Sequence, residues 1–361
     1  MRSVVRALLA AAGALVATAL SLPVLLAGAP LWVVAALTRG LARVLEPPVT
    51  DWRGLFEFDA ELGWRVRGGI VAYCLERRDD VFRVETDADG WPGPLALADS
   101  QMVVVGDSHA FGYGVDPERF FARLVPGVRV KAVGVPGYNM VQELLLMGRL
   151  APRLRDRLVV WFVYPGNDLY DNLSPEMNGY RAPFVRREPD GGWTIVTRHL
   201  RPEPWRVSTG RRGRFYLPTL AALHAPTALA ERAYAAAAAV LAAGAETCRR
   251  AGARLVVVTV PTPLALSPEG LARLAPHLPA ATPPDPDFPD RQIGAACARL
   301  GLPFFALRTV LRREHYKPED DHWTADGHRV VARALADLYC RLGAPPEPRP
   351  TAATAVVETA S

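Results

Sequence analysis

The stretch Gln101-Met102-Val103-Val104-Val105-Gly106-Asp107-Ser108-His109 begins the part of the chain that decides its fold. A Val-rich apolar run that ends in Gly is typical of a β-strand buried on both faces. Polar residues follow this run at once, so the chain passes from core to chemically active side chains within three residues. The stretch therefore predicts a buried strand with functional groups at its carboxyl end.

Similar apolar runs recur along the chain, at residues 128–133, 158–163, 254–260 and 303–307. The segments between them have helical apolar spacing, at residues 118–124, 141–150, 227–251, 290–300 and 325–342. Strands and helices that alternate in this way predict a parallel sheet covered by helices on both faces. We therefore expect one α/β domain over 99–343, with inserts at about 169–226 and 261–289. Residues 46–98 alternate over short runs such as 81–84 and predict a small β-rich preamble that packs on this domain.

The residues that follow the strands carry the chemistry. In an open α/β sheet, ligands bind beyond the carboxyl ends of the strands. The segments at these positions are Gly106-Asp107-Ser108-His109, Gly134-Val135-Pro136-Gly137-Tyr138, Pro165-Gly166-Asn167-Asp168 and, before the last helix, Asp320-Asp321-His322-Trp323. A serine, an exposed backbone, an amide and an Asp/His pair are thus expected to meet at one end of the sheet.

These residue types suit acyl transfer. A serine hydroxyl such as that of Ser108 becomes nucleophilic when a base takes its proton, and His322 is suited to this if a carboxylate orients it. The oxyanion that forms needs fixed donors. The backbone N–H groups of Ser108 and Gly137 and the side-chain amide of Asn167 are candidates. Gly suits position 137 because no Cβ blocks the approach of substrate.

The order of these segments resembles the four sequence blocks of the SGNH/GDSL hydrolase family, over roughly residues 99–343. The resemblance implies a flavodoxin-like, three-layer αβα sandwich around a parallel five-stranded sheet. It implies Ser108 as the nucleophile and His322 as the base, with an oxyanion hole made by Ser108, Gly137 and Asn167. It implies no cofactor and no metal.

Two positions depart from the family pattern. Many members have Asn five residues before the oxyanion glycine, where this chain has Ala132. The usual last block is Asp-x-x-His, but Glu319 stands three residues before His322. The Asp-x-His-Trp arrangement is similar to that of alginate-type O-acetyltransferases and membrane-anchored bacterial SGNH proteins. On that resemblance Asp320 orients His322, with Glu319 and Asp321 as alternatives.

The expected function is that of a serine esterase acting on short acyl esters, acetyl above all, with cell-envelope or exported glycans as candidate substrates. The first alternative is an O-acyltransferase of polysaccharide modification that uses the same triad. An alternative from another class is a non-catalytic glycan-binding or assembly protein. A metal-assisted phosphoesterase and a lipase on membrane lipids are further alternatives.

Several residues near the blocks have structural interpretations. Ser108 is also a favoured residue for capping a helix. Asp107 is expected to shape its loop, and His109 is not expected to be catalytic. Asp320, Asp321, His322, Asp326 and His328 form a cluster that suits a metal, but no second cluster accompanies it. The loop residues Trp193 and Trp205 either stack on a sugar ring or pack.

The N-terminal region predicts a membrane anchor over 1–45. Arg2 and Arg6 precede an uncharged, apolar stretch over 7–37, which exceeds the roughly 20 residues that a membrane helix needs. A cleaved signal peptide is the alternative, since Ala27 and Ala29 form an A-x-A pattern. We expect the N-terminus inside and the catalytic domain on the extracytoplasmic side, in the periplasm or at the cell surface.

Composition excludes some other classes of protein. The chain of 361 residues is 50% hydrophobic with a net charge of +5, which is too apolar for a disordered protein, although the tail at 344–361 is expected to be disordered. Its densest basic run, Arg211, Arg212 and Arg214, is short, so no nucleic-acid partner is expected. The four cysteines (Cys74, Cys248, Cys297 and Cys340) match no zinc pattern, and either a disulfide or free thiols fit their spacing.

Overall fold

The computed structural model describes residues 49–77, 80–177, 179–202 and 211–343, without the side chains of 52, 76, 77 and 211–215. The predicted anchor, 1–45, and the predicted tail, 344–361, lie outside these residues, as does Trp205. The described residues belong to one unit that begins at Val49.

The strands of this unit follow the order preamble, first half of the main sheet, insert, second half of the main sheet. They are β1 (Val49–Thr50), β2 (Phe56–Asp59), β3 (Gly63–Val66), β4 (Val71–Arg77), β5 (Asp80–Glu85), β6 (Met102–Gly106), β7 (Val130–Gly134), β8 (Leu158–Val163), β9 (Glu176–Met177), β10 (Tyr180–Arg181), β11 (Phe184–Arg187), β12 (Trp193–Val196), β13 (Arg254–Thr259) and β14 (Phe304–Ala306).

The α-helices alternate with the strands of the main sheet, and two of them lie in the inserts. They are α1 (Ser108–Phe111), α2 (Phe121–Leu124), α3 (Met140–Leu150), α4 (Asp168–Asp171), α5 (Arg211–Leu223), α6 (Ala228–Ala251), α7 (Pro268–Leu274), α8 (Phe288–Leu300) and α9 (Ala325–Leu342).

The main sheet has five strands in the order β14-β13-β8-β6-β7, and every neighbouring pair is parallel. Its strands β6, β7 and β8 are buried along their whole length, because successive side chains point to opposite faces and helices cover both faces. Val103 and Val105 belong to a core cluster with α3, α6 and α8, whereas Met102 and Val104 belong to a second cluster with α2 and α9. The predicted α/β fold with a parallel five-stranded sheet is confirmed.

Most predicted helices are present with nearly the expected ends. α6 begins at Ala228 because the side chain of Thr227 accepts a hydrogen bond from the Ala230 N–H at 3.1 Å. The helix predicted over 118–124 is instead split into a 3₁₀ turn and α2, because Phe120 takes an extended conformation between them and its ring is buried. The last predicted strand, expected over 303–307, is also shorter, since β14 covers only Phe304–Ala306.

The preamble packs against the same core as α3. β2 and β3 form one antiparallel hairpin, β4 and β5 another, and β1 lies parallel to β4. Trp64 of β3 is 2% exposed, and its indole N–H donates to the carbonyl of Pro136 at 3.2 Å. Gln142 of α3 donates to the carbonyl of Leu62 at 2.7 Å. These bonds join the preamble to the loop that follows β7 and to α3.

Two further findings concern α6 and the cysteines. Within the part of the chain that the structure describes, α6 is the one helix long and apolar enough to span a membrane, and it packs against α3, α8 and β13.

All four cysteines are free thiols; Cys340 is exposed and the other three are buried.

Candidate active site

The loop after β6 presents Ser108 at the start of α1. The helix cap is Asp107, whose carboxylate accepts from the His109 backbone N–H at 2.9 Å, so the interpretation of Ser108 as the cap is wrong. This leaves the Ser108 side chain partly exposed on the wall of a cavity. Gly134 allows α1 to lie this close to β7, because a Cβ there would stand 2.2 Å from the Phe111 nitrogen.

The loop before α9 brings His322 and Asp320 together. His322 Nδ1 lies 2.8 Å from Asp320 Oδ1, and the two side chains are 16% and 11% exposed. The same Asp320 oxygen accepts from the Asp321 backbone N–H at 2.7 Å. Of the three acids proposed for this role, Asp320 is therefore the one that contacts the imidazole. Glu319 is exposed, and the Asp321 carboxylate accepts from the Tyr216 hydroxyl at 2.5 Å.

The electrostatics of this pair favour a charged imidazole. Burial would lower the pKa of His322, but the hydrogen bond and charge of Asp320, with the charges of Asp107 and Asp321, raise it above its usual value. Burial would raise the pKa of Asp320, but its hydrogen bond with His322 and the charge there hold it far below its usual range. Asp320 therefore stays ionised and stabilises the imidazolium that proton transfer would create.

The loop after β7 contributes Gly137, whose backbone requires glycine. Its φ of +80° lies in the left-handed region, and a Cβ would stand 2.7 Å from Met177 Cε. Trp64 of the preamble lies against the same position, 3.6 Å from that Cβ. Residues of β3 and β9, both outside the four sequence blocks, thus leave no room for a side chain at Gly137, which lines the cavity.

Asn167 follows β8 and is 5% exposed. One N–H of its side-chain amide donates to the carbonyl of Tyr138 at 3.1 Å, which orients the group. A primary amide has two such protons, so the second remains available for a substrate oxygen. Tyr138 is itself fixed, because its hydroxyl donates to the carbonyl of Trp64 at 2.5 Å.

The predicted residues line one cavity of about 920 Å³. Its walls include the proposed site residues Ser108, Gly137, Asn167, Asp320 and His322, and side chains from both inserts. The insert residues are Met177, Tyr180, Tyr216, Leu217, Pro263, Leu264, Ser267, Glu269, Gly270 and Arg273. Trp193 is absent from these walls and packs against the core instead.

The metal interpretation of the Asp/His cluster finds no geometric support. Across residues 49–77, 80–177, 179–202 and 211–343, no group of three or more His, Cys, Asp or Glu residues is placed to hold a metal ion. Asp326 is exposed beside Arg329. His328 is buried, accepts from the Phe121 N–H at 3.3 Å, and has a pKa lowered to about 3, chiefly by burial. His328 of α9 therefore packs in the core.

Residues 215–360 match the family described as SGNH hydrolase-like domain, acetyltransferase AlgX. Over these residues the chain resembles an SGNH hydrolase-like domain. The matched residues include the loop that carries Asp320 and His322, whereas Ser108, Gly137 and Asn167 precede them. The resemblance stated from the sequence is therefore confirmed, and the fold and family together indicate an acyl hydrolase or acyltransferase type.

Solved structures similar to this chain include three esterase-type proteins. A carbohydrate acetylesterase family member from Sinorhizobium meliloti is 12% identical, with 67% of this chain and 97% of that one covered and a TM-score of 0.39. The aryl esterase of M. smegmatis is 12% identical, with 67% and 99% covered and a TM-score of 0.37. The psychrotrophic esterase of Pseudoalteromonas sp. is 9% identical, with 68% and 98% covered and a TM-score of 0.34. Because these values are low, no inference rests on them. Among curated proteins, none matches the chain significantly.

Proposed function

We propose that this protein is a serine esterase for short acyl esters, with an O-acyltransferase as the alternative outcome of the same chemistry. The observation that carries the proposal is the 2.8 Å contact between His322 Nδ1 and Asp320 Oδ1 in a cavity shared with Ser108. A carboxylate at Nδ1 leaves Nε2 as the position that accepts a proton. Asp320 is the orienting carboxylate, His322 the base and Ser108 the nucleophile.

The reaction proceeds in two halves. Ser108 Oγ attacks the acyl carbon while its proton moves to His322 Nε2, and the N–H groups of Ser108, Gly137 and Asn167 stabilise the oxyanion. The bond to the leaving alkoxide breaks, and His322 returns the proton to it. Water, or an acceptor hydroxyl, then attacks the acyl-enzyme and gives its proton to His322; the bond from the acyl carbon to Ser108 Oγ breaks, and His322 passes the proton to Oγ. Esterase and transferase differ only in which nucleophile arrives in this second half.

Acetyl esters on cell-envelope or exported glycans are the substrates that we propose. The matched family's printed name, which mentions an acetyltransferase, supports the acetyl group. The apolar segment over 7–37 supports an anchored protein with the catalytic domain outside the cytoplasm. A reporter enzyme fused after residue 48 tests this placement; activity of a reporter that works only outside the cytoplasm is expected, and its absence contradicts the placement.

The decisive test of the chemistry uses the full-length chain and p-nitrophenyl acetate. Wild type is expected to release p-nitrophenol, Ser108→Ala to release none above background, and Ser174→Ala, a control outside the cavity, to match wild type. Mass spectrometry after reaction with a fluorophosphonate is expected to find the adduct on Ser108. Addition of candidate glycans then decides between hydrolysis and transfer. A folded wild type with neither turnover nor adduct would favour the non-catalytic binding protein.

A further inference from the structure

His109, the residue that follows Ser108, has no part in the proposed reaction although it lies within the site. Its side chain is 1% exposed and lies between the Ser108 loop and the His322 loop. Its ring centroid is 4.4 Å from that of Tyr164, 4.9 Å from that of Trp323 and 5.5 Å from that of His322. A buried imidazole packed in this way has a fixed orientation.

Both ring nitrogens of His109 face oxygen acceptors. Nε2 lies 3.0 Å from the backbone carbonyl oxygen of Asp321, and Nδ1 lies 3.2 Å from Asp107 Oδ1. A carbonyl oxygen can only accept, so Nε2 donates to Asp321. On the other side, burial would raise the pKa of Asp107, but the charge and hydrogen bonds of His109 hold it below its usual value. Asp107 is therefore an ionised acceptor.

The bond to Asp321 connects two parts of the site that the chain itself does not join. The Asp321 carbonyl belongs to the peptide unit that leads directly into His322. His109 is directly bonded to Ser108 along the chain. One hydrogen bond, between residues 212 positions apart, thus ties the neighbour of the nucleophile to the neighbour of the base.

We propose that His109 is a positioning residue that sets the placement of His322 relative to Ser108. This inference rests on the proposed function of these two residues. Proton transfer needs its groups held to within about 0.5 Å, and a displacement of about 1 Å can cost about 100-fold in rate. The aromatic neighbours of His109 keep its ring in place, and its Nε2–H bond to the Asp321 carbonyl holds the two loops together.

Three substitutions separate positioning from packing. His109→Phe keeps a ring beside Tyr164 and Trp323 but removes the Nε2–H donor to Asp321. In His109→Gln the side chain is long enough for its amide N–H to approach the Asp321 carbonyl. In His109→Asn the side chain is too short for this. His224→Phe is the matched control, since His224 is a buried histidine whose Nδ1 contacts the Leu220 carbonyl at 2.8 Å, away from the cavity.

The measurement is the rate of labelling by a fluorophosphonate over a concentration series, corrected for the fraction of folded protein. We expect the maximal rate of His109→Phe and His109→Asn to fall about 100-fold, with half-saturation unchanged within about twofold. His109→Gln should recover about tenfold of that loss. A residue that only packs would lower the folded fraction but leave the rate of the folded enzyme unchanged, as expected for His224→Phe.

If folded His109→Phe is labelled at the wild-type rate, the proposal is overturned. If His109→Phe does not fold, the labelling rate of His109→Asn decides in the same way. Failure of the wild type to label instead overturns the proposed function. In that case the downfield proton NMR signal of the His322 Nδ1–H bound to Asp320 decides, because it needs no catalysis. Its loss or broadening in the His109 variants supports positioning, and an unchanged signal refutes it.

Discussion

Replacement of Asp320 by Asn tests the orienting carboxylate most directly. The substitution keeps the size of the side chain but removes the charge that faces His322 Nδ1 at 2.8 Å. Two unit charges about 4 Å apart at an effective dielectric constant of about 20 interact by about 4 kcal/mol. Loss of that stabilisation from the imidazolium of the transition state corresponds to about a thousandfold in kcat/KM.

The pH profile gives a second signature of the same change. His322 must be neutral to accept the Ser108 proton, so wild-type activity should rise with pH through a value above the usual 6.5 or so, because the pKa of His322 is raised. Without Asp320, burial dominates and lowers the pKa of His322. The rising limb of Asp320→Asn should therefore move to lower pH while its plateau falls.

The assay is hydrolysis of p-nitrophenyl acetate between about pH 5 and pH 9, a window that spans the usual pKa of histidine. Asp326→Asn is the matched control, because this exposed carboxylate pairs with Arg329 on the surface of α9. It should retain wild-type activity within about twofold. If Asp320→Asn keeps more than about a tenth of the wild-type rate while Asp321→Asn loses about a thousandfold, the assignment of Asp320 is refuted.

Three further substitutions probe other parts of the structure. Gly137→Ala should lower kcat/KM about 100-fold, because the left-handed φ and the Met177 contact displace an oxyanion donor; a loss below about threefold would exclude that donor. Burial, with the charges of Glu143 and Asp107, raises the pKa of Asp168 above its usual value. The folded protein therefore holds this proton more tightly than the unfolded chain does. The free energy of unfolding should fall as pH rises above about 4, where the unfolded chain loses the proton. Asp168→Asn should therefore flatten this fall in urea unfolding without lowering the free energy of unfolding at pH 7; a lower value there contradicts the reasoning. Asp87→Ala should lower the free energy of unfolding by about 3 kcal/mol, because it leaves the buried Lys131 ammonium, 2.7 Å from Asp87 Oδ2, without its charge partner. The double variant Asp87→Ala with Lys131→Met should recover most of that loss, because it removes the buried charge. If the free energy of unfolding stays low, the unpaired Lys131 ammonium is not the cause of the loss.

The sheet could be predicted from the sequence because its signals are local. A strand buried on both faces must be apolar along its whole length, as β6 and β8 are, and parallel strands require the helices that the apolar spacing between them indicates. The polar blocks then fall at the carboxyl ends by connectivity alone. The helix predicted over 118–124 was wrong, because its apolar spacing covers only seven residues and buried Phe120 interrupts it.

The rest of the site could not be predicted because it depends on contacts between residues far apart in the chain. Asp320, Glu319 and Asp321 all lie within three residues of His322, and only the path of the loop decides that Asp320 meets the imidazole. Met177, in an insert without helical or strand periodicity, gave no signal that it packs over Gly137. Asp321 and Tyr216, 105 positions apart, meet only when α5 lies across the cavity.

The amino-acid sequence by itself determined the α/β architecture and indicated the candidate residues for the chemistry, because burial patterns and residue types are local properties. The tertiary structure alone decided which carboxylate orients His322, which residues cover Gly137 and how His109 links the two loops. The physical reason is that hydrogen bonding and electrostatics act over a few ångströms, and the chain brings such partners together only after the core has packed.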